Sequence, residues 1–351
     1  MDSDQGGRAD RLNVKRDLAL TDEALSRLLA EDAPYGDLTT ELLGMGECPA
    51  LLTFSARTAM AVCGSEEAAR MFTLAGARST VIAASGTVSD GLLLTAEGDT
   101  ATLHRVWKSV QVLVELYSGI ATGAVAIITT LRDAGCAKPL ACTRKHFPGT
   151  KEMAVKAVRC GGAYMHRLGL SETLPLFHEH RVFLEEPAVL MVARIRSVLP
   201  ERGLVVEVAS ESEALTWAEA GAPILPLERF GPEQVRGLRE KLASRQLTPV
   251  LAIAGGVGAD NAVAYAVAGA SILVTSAPYH APPARCPSRV LASCTSMSGL
   301  TAPRVGNKRG TIPLHADHLT RRPAPRPMSR CARPGSHADH GRRVDCMSTV
   351  G

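Results

Sequence analysis

The sequence lacks the features that would mark it as a disulfide-stabilised, zinc-binding or membrane protein. Its nine cysteines include no C-x-x-C pair and no histidine spacing suited to zinc. No N-terminal stretch joins a basic region to an apolar run, and no uninterrupted apolar run reaches the roughly 20 residues that cross a bilayer. These absences favour a cytoplasmic protein with reduced cysteines and no membrane partner.

Aromatic residues are also scarce, at 4% of the chain, and none follows Tyr279. The segment from 281 to 351 instead carries twelve Lys and Arg against three Asp, with abundant Pro, Ser and His. Such a composition cannot bury enough apolar surface to fold alone. We therefore expect residues 286–351 to be a disordered basic tail, although an out-of-frame extension would explain the same composition. The polar residues 1–16 are expected to be a mobile N-terminus.

The net charge of +4 is therefore an average over unlike parts. Residues 1–280 carry 27 Lys and Arg against 32 Asp and Glu, which gives this part a net charge of −5. A mildly acidic body does not support a nucleic-acid role. The length fits about two domains on the usual prior of roughly 100–200 residues each. We place an N-terminal α/β domain at residues 17–118 and a second domain at 119–285.

Strand and helix patterns alternate through the second domain. Short apolar runs predict strands, and amphipathic segments between them predict helices. The strands are expected at 139–143, 204–208, 224–227, 250–254 and 272–275, and the helices at 188–198, 211–220, 232–243 and 261–268. An earlier helical stretch, from 107 to 134, is expected to break near Ser118-Gly119. Repeated βα units indicate a parallel sheet closing toward a barrel, with the active face at the carboxyl ends of the strands.

Two clusters of cationic residues stand out in the second domain. Arg144 and Lys145 follow its first predicted strand, and His166 and Arg167 follow a predicted helix over 151–160. A strand end and a nearby loop would bring these four side chains into one pocket. Positive groups that converge in this way require an anion between them. The sequence therefore predicts an anion-binding enzyme site.

Several motifs, taken in order, resemble those of the quinolinate phosphoribosyltransferase family, and most closely those of its ModD branch. The resemblance extends from about residue 21 to about residue 285. Its motifs are Gly36-Asp37-Leu38-Thr39-Thr40, Ser118-Gly119-Ile120-Ala121-Thr122, Thr143-Arg144-Lys145, His166-Arg167-Leu168-Gly169-Leu170, Val206-Glu207-Val208, Leu227-Glu228-Arg229-Phe230, Ala254-Gly255-Gly256 and Thr275-Ser276-Ala277-Pro278-Tyr279. The resemblance implies an N-terminal α/β sandwich-like domain, an incomplete TIM-like α/β barrel of the type II phosphoribosyltransferase kind, and a homodimer with shared active sites.

The resemblance also implies a reaction, in which ribose-5-phosphate passes from phosphoribosyl pyrophosphate to a ring nitrogen of an aromatic carboxylate. Pyrophosphate leaves, and Mg²⁺ is the expected cofactor. Such an enzyme must hold an anionic donor and neutralise its leaving group during an oxocarbenium-like transition state. Lys145 is assigned to the pyrophosphate or ribose oxygens, and Glu207 and Glu228 to ribose hydroxyls or Mg²⁺. Phosphate binding is assigned to Gly255, Gly256 and Ser276.

The family holds the carboxylates of its acceptor with a set of basic residues. The corresponding residues here are Arg144, His166 and Arg167, and Lys108 stands where the partner subunit supplies a cation, with Arg105 as a rival. If the acceptor is quinolinate, the products are nicotinate mononucleotide, CO₂ and pyrophosphate, as in NAD biosynthesis.

The sequence departs from the family pattern at several of these positions. Phe177 stands where the family has a lysine, and Ala209 where it has an aspartate. Glu228 replaces a shorter aspartate, and Ala252 and Ala254 replace a glutamate and a serine before the glycine pair. Loss of one cation and gain of an aromatic face favour an acceptor with less charge or more apolar surface. The residues assigned to the donor, phosphoribosyl pyrophosphate, are less affected by these replacements.

These observations favour a phosphoribosyltransferase, and two alternatives remain. The first is a non-catalytic anion-binding protein that serves molybdate handling, which the alanine replacements favour. The second is a different phosphosugar enzyme on the same barrel, which the Thr-Arg-Lys and His-Arg-Leu-Gly-Leu motifs disfavour.

Overall fold

The structure is a computed structural model, and it describes residues 17–292. The predictions for residues 1–16 and for the tail beyond 292 lie outside this range. The strands are β1 (Pro49–Ser55), β2 (Met60–Ala61), β3 (Arg78–Val81), β4 (Val88–Ser89), β5 (Leu92–Asp99), β6 (Leu140–Cys142), β7 (Tyr164–Met165), β8 (Leu174–Leu176), β9 (Leu204–Val206), β10 (Ile224–Glu228), β11 (Val250–Ala254), β12 (Ile272–Thr275) and β13 (Ser288–Ala292). The α-helices are α1 (Asp22–Asp32), α2 (Leu38–Leu42), α3 (Ser65–Ala75), α4 (Thr100–Asp133), α5 (Lys151–Cys160), α6 (His178–Arg181), α7 (Ala188–Val198), α8 (Glu211–Glu219), α9 (Pro232–Ser244) and α10 (Ala262–Val267).

An antiparallel sheet with strand order β13-β1-β5-β3 forms the N-terminal layer. In β1 every second residue is buried, including Leu52 and Phe54, so that one face of the sheet meets helices α3 and α4. Phe54 contacts Phe72 of α3, with ring centroids 6.0 Å apart. The sheet covered by helices on its apolar face is the α/β layer predicted for this part of the chain.

The last described strand returns to this N-terminal sheet. Ser288–Ala292 pairs antiparallel with β1, and Val290 lies opposite Leu52. Cys286, just before it, is fully buried, and its backbone N–H donates to the Glu115 carboxylate at 2.9 Å. The prediction that a disordered tail begins at residue 286 is therefore wrong for this segment. The five residues of β13 are too few to give a clear strand pattern in a sequence that is otherwise polar.

Helix α4 runs without interruption from Thr100 to Asp133, so the predicted break near Ser118-Gly119 is wrong. Gly119 serves close packing instead, because a Cβ there would lie 2.5 Å from the carbonyl oxygen of Pro282. Ser118 accepts the backbone N–H of Cys63 at 2.9 Å. The small residues therefore allow other segments to approach this helix.

Helix α4 is also long and apolar enough to cross a membrane by length and composition. Its sequence did not indicate this because charged residues interrupt the apolar run. Half of its most apolar window is buried inside the structure. A core helix of a water-soluble domain passes the same test, so the helix is weak evidence for a membrane span.

The second sheet has seven strands, in the order β7-β6-β12-β11-β10-β9-β8, and every neighbouring pair is parallel. Its ends, β7 and β8, do not pair with each other within the described chain, so the barrel is incomplete, as predicted. Strands β11 and β12 and helix α7 have the predicted bounds. Three short elements, β7, β8 and α6, were not predicted from the sequence. Because all seven strands point the same way, their carboxyl ends meet at one edge.

Candidate active site

A cavity of about 740 Å³ lies at the carboxyl ends of the parallel strands. Its lining includes eight of the ten residues that the sequence nominated, and their roles stay predictions. These residues are Arg144, Lys145, His166, Arg167, Glu207, Gly255, Gly256 and Ser276. The two that it does not include are Glu228 and Lys108.

The turn after β6 is held by a network around Thr143. Its backbone N–H donates to the Thr275 carbonyl at 2.9 Å, and its hydroxyl lies 2.8 Å from that of Ser276. The same hydroxyl accepts the N–H of Lys145, and the hydroxyl of Tyr279 donates to the Thr143 carbonyl at 2.7 Å. These bonds fix the backbone from which Arg144 and Lys145 reach the cavity.

The end of β7 brings a second pair of basic residues to the same cavity. The N–H of His166 donates to the Cys142 carbonyl at 2.8 Å, which places His166 beside the end of β6. Burial, and then the charge of Arg167, lower the pKa of His166 below its ordinary value. His166 is therefore neutral near pH 7. Burial, and then the charge of Arg144, likewise lower the pKa of Arg167, so the two guanidinium groups lie near each other.

The three permanent cations of the cavity have no carboxylate partner. Among residues 17–292, Arg144, Lys145 and Arg167 form no ion pair within 4.0 Å. Arg167 makes one long hydrogen bond, to the Gly169 carbonyl at 3.4 Å. Cations that the protein itself does not neutralise are free to bind an anion.

Glu207 is the one carboxylate that lines the cavity in the described chain. Burial raises its pKa above the ordinary value, and the charges of Glu228 and Glu179 raise it further. Arg181 and Lys145 act in the opposite direction. A carboxylate that is partly buried and near other carboxylates would be stabilised by a bound cation.

Glu228 does not line the cavity, contrary to its predicted place beside Glu207. Its side chain is 44% exposed and lies 3.7 Å from the Arg229 guanidinium. Arg229 has a φ of 60°, a left-handed conformation that turns the chain directly after β10. Glu228 remains close enough to raise the pKa of Glu207 by its charge.

The turn after β11 can accept an anion at its backbone. Gly255 and Gly256 have φ values of 92° and 68°, and a Cβ on either would meet nothing within 4 Å. The glycines are thus required by the backbone conformation, and they leave the cavity open. Asn261 fixes the turn, because its side chain donates to the Gly256 carbonyl and accepts the N–H of Gly258. Open backbone beside the last barrel strands suits a phosphate group.

Lys108 lies on α4, away from the cavity of its own chain. Its ammonium lies 4.1 Å from the ring centroid of Trp107 and donates to Gln111. It shares a separate cleft with Asp37, His104 and Arg105. The sequence assigned Lys108 to the active site of a partner subunit, and that assignment stays a prediction.

Two further residues near the site were not nominated from the sequence. Thr143 lines the cavity and anchors its first turn. Arg181 is only 14% exposed, lies over the Trp217 ring, and approaches Glu213 at 3.6 Å, while its buried Nε has no hydrogen-bond partner among the described residues. The Thr-Arg-Lys motif contained Thr143, but nothing in the sequence indicated Arg181. No cluster of three metal-ligating side chains occurs in residues 17–292.

An incomplete parallel barrel with a cluster of cations and an open glycine turn at its carboxyl edge has the architecture of a barrel phosphoribosyltransferase. The family models agree: the C-terminal domain of quinolinate phosphoribosyl transferase matches residues 120–284, and its N-terminal domain matches residues 37–118. The chain belongs to the quinolinate phosphoribosyltransferase family, and within it to the ModD group.

The ModD assignment rests on two relatives. A protein of Rhodobacter capsulatus named "Putative pyrophosphorylase ModD" is 45% identical over 246 residues, covering 69% of this chain and 95% of the relative. A protein of the same name from Pasteurella multocida is 34% identical, covering 76% of this chain and 96% of the relative. The nicotinate-nucleotide pyrophosphorylase structure from Francisella tularensis shares the fold, with a TM-score of 0.70 and 21% identity over 77% of this chain and 95% of that one.

Proposed function

We propose that this protein transfers ribose-5-phosphate from phosphoribosyl pyrophosphate to a ring nitrogen of an aromatic carboxylate. The observation that carries the proposal is the convergence in one cavity of Arg144, Lys145 and Arg167, none of which is paired to a carboxylate within residues 17–292. The donor carries several negative charges, and so does its leaving group. A cavity with three such cations on one side suits both.

The donor would lie across the cavity from β11 to β6. Its 5-phosphate would bind the backbone of Gly255 and Gly256, with the Ser276 hydroxyl one strand further on. Its pyrophosphate would lie toward Lys145, whose ammonium neutralises the charge that develops as the bond from C1 to oxygen breaks. The acceptor nitrogen forms the new bond to C1 from the other side.

The carboxylates fit a role for Mg²⁺ as cofactor. Mg²⁺ is usually held by one or two carboxylates together with substrate phosphates and water. The raised pKa of Glu207 indicates a carboxylate that a cation would stabilise. Glu207 would hold the ion, with Glu228 nearby, and Mg²⁺ would offset negative charge on the pyrophosphate.

The shared active site of a homodimer is part of the same proposal. The cleft that contains Lys108 and Arg105 also contains Asp32 and Asp37, and it is separate from the cavity of its own chain. A second copy of the chain could place one of these cations at the mouth of the cavity.

A calorimetric titration of the full chain with phosphoribosyl pyrophosphate, with and without Mg²⁺, tests the donor assignment. We expect saturable binding that Mg²⁺ strengthens. The full chain is needed because a chain cut at residue 285 would lose β13 from the N-terminal sheet. A folded protein that binds no donor, alone or with quinolinate present, would contradict the proposal.

The Glu207→Gln variant tests turnover. It should still bind the donor but release pyrophosphate more slowly, by roughly 10²-fold or more, since a transition-state contact is lost. The matched control is Glu233→Gln, which removes an exposed carboxylate paired with Arg236 on α9.

A non-catalytic anion-binding protein for molybdate handling is the second candidate. It is favoured by β11, whose Ala252 is fully buried and whose Ala254 lines the cavity without a polar group. For such a protein, Glu207→Gln should bind molybdate as well as the parent or better, because one negative charge leaves the cavity. Loss of turnover together with weaker molybdate binding would favour the transferase.

A further inference from the structure

The cavity has two unlike sides. Among the described residues, its cations come from the loops after β6 and β7, whereas the side formed by β8, β9 and β10 is largely apolar. Pro175, Phe177, Val205 and Pro226 line this second side, and Glu207 lies at its edge. An acceptor bound between the two sides would meet charge on one and an aromatic or aliphatic surface on the other.

Phe177 is held in place by the start of helix α6. Its carbonyl accepts the backbone N–H groups of His180 and Arg181, at 3.1 and 3.2 Å. Its own N–H donates to Nδ1 of His180 at 3.0 Å, and the two rings stack with centroids 5.6 Å apart and an interplanar angle of 23°. This hydrogen bond and the ring stacking hold Phe177 against His180.

Phe177 also positions the Arg167 guanidinium, which lies 5.4 Å from the centre of the phenyl ring. Apart from the long bond to Gly169, the N–H groups of Arg167 have no partner in the described chain. A planar guanidinium with free donors binds one carboxylate in a bidentate manner. The Phe177 and Arg167 pair therefore offers one carboxylate site next to an aromatic surface.

A second carboxylate directed toward Phe177 would be poorly served. His166 is neutral near pH 7 because its pKa is lowered, and the proposed function assigns Lys145 to pyrophosphate. The remaining cation, Arg144, follows β6 and so lies one strand further than Arg167 from the opening between β7 and β8, where Phe177 lies; it can bind only a carboxylate directed away from Phe177. A second carboxylate directed at Phe177 and Pro175 would lose water without gaining a donor, which is costly.

We propose that Phe177 sets the acceptor specificity of this site, selecting a planar aromatic ring with one carboxylate over a ring with two adjacent carboxylates. This inference rests on the proposed function, since it names the acceptor class of the same site.

The test is calorimetric binding of pyridine-3-carboxylate and pyridine-2,3-dicarboxylate to the full chain. Each titration is run alone and with phosphoribosyl pyrophosphate in the presence of EDTA, so that turnover does not interfere. The parent protein should bind the monocarboxylate about tenfold more tightly, since an unsatisfied charged group costs at least that factor.

Three variants at position 177 test whether this residue sets the ratio of the two affinities. Phe177→Lys and Phe177→Arg add a cation and should shift the preference toward the dicarboxylate by about tenfold or more. Phe177→Leu keeps an apolar side chain without a ring, so it should weaken both ligands and leave their ratio within about threefold. Phe177 is only half-buried, which favours folding of all three variants.

The outcomes separate this inference from the proposed function. Tighter binding of the dicarboxylate by the parent protein, an unchanged ratio in both cationic variants, or no binding of either ring under both conditions would overturn it. If the predicted ratios appear but phosphoribosyl pyrophosphate does not bind, the donor assignment fails and the acceptor assignment stands.

Discussion

The molecule contains two clusters of charge that differ in how their cations are satisfied. In the first, Lys156 of α5 is buried against the N-terminal layer, with its side chain 5% exposed. Its ammonium donates to both carboxylate oxygens of Glu67, at 2.7 and 2.8 Å, and to Glu66 at 3.1 Å. Burial alone would lower the pKa of Lys156, but the charges of Glu67 and Glu66 outweigh it and raise the pKa.

The second cluster is the cation side of the cavity. Arg144 and Lys145 are exposed, Arg167 is half-buried, and none of them has a carboxylate partner among the described residues. The pKa of Arg167 is lowered by burial and by Arg144, whereas that of Lys156 is raised.

The difference in how the cations are satisfied indicates a structural role for the Lys156 cluster and a binding role for the cavity cations. Lys156 and its two glutamates satisfy one another, and they join α5 of the barrel to α3 of the N-terminal layer. The cavity cations repel one another and need a ligand to be neutralised. Stability should therefore depend on the first cluster, and ligand affinity on the second.

The largest expected effect is on stability, in the Lys156→Met variant. Removal of the ammonium leaves the fully buried Glu67 without its cation, at a cost of about 3–5 kcal/mol in the free energy of unfolding. Urea unfolding followed by circular dichroism measures this. The control is Lys241→Met, whose exposed pair with Glu211 should contribute about 1 kcal/mol or less. Equal losses in the two variants would show that the buried Lys156 cluster stabilises the fold no more than an exposed ion pair does.

A smaller effect, on affinity alone, is expected for Lys145→Gln. No carboxylate is left unpaired in the described chain, so the free energy of unfolding should change by less than about 0.5 kcal/mol. Affinity for phosphoribosyl pyrophosphate should fall about tenfold, because a charge-assisted hydrogen bond is lost. The matched control is Lys151→Gln, an exposed lysine outside the cavity. A marked loss of stability with unchanged affinity would place Lys145 with the structural cluster.

The same comparison shows what the sequence could predict. Arg144 and Lys145 follow a predicted strand, and Arg167 stands in a short segment after the next predicted helix, so the sequence predicted that a strand end and a nearby loop would bring them together. The bounds of β11 and β12 followed from apolar runs that are buried almost throughout. Local pattern was sufficient in both cases.

The Lys156 cluster could not be found in this way, because its partners lie about 90 positions away in the chain. The close approach of Pro282 to Gly119 is also non-local, so a glycine required for packing was interpreted as a helix break. Glu228 ends a strand and was therefore expected to point into the cavity. In the structure the backbone is left-handed at Arg229, and the Glu228 side chain lies near the Arg229 guanidinium instead. These features depend on tertiary structure rather than on local sequence.

The smallest expected effect concerns the stability of Glu207→Gln at different pH values. The pKa of Glu207 is raised in the folded state above its ordinary value of 4.5, so its contribution to stability is present below that value and is lost as pH rises through the folded pKa. Near pH 8 the ionised carboxylate therefore disfavours the fold, and glutamine removes this penalty.

We expect Glu207→Gln to be more stable than the parent near pH 8, by less than about 1 kcal/mol because the group is partly solvated. The gain should disappear as pH falls below 4.5, where Glu207 is protonated in both states. Urea midpoints measured across this range test the prediction, with Glu233→Gln as the exposed control. A variant that is less stable than the parent at pH 8 would mean that the protein satisfies Glu207 internally, as it does Glu67. Glu207 would then belong with the structural cluster rather than with the site.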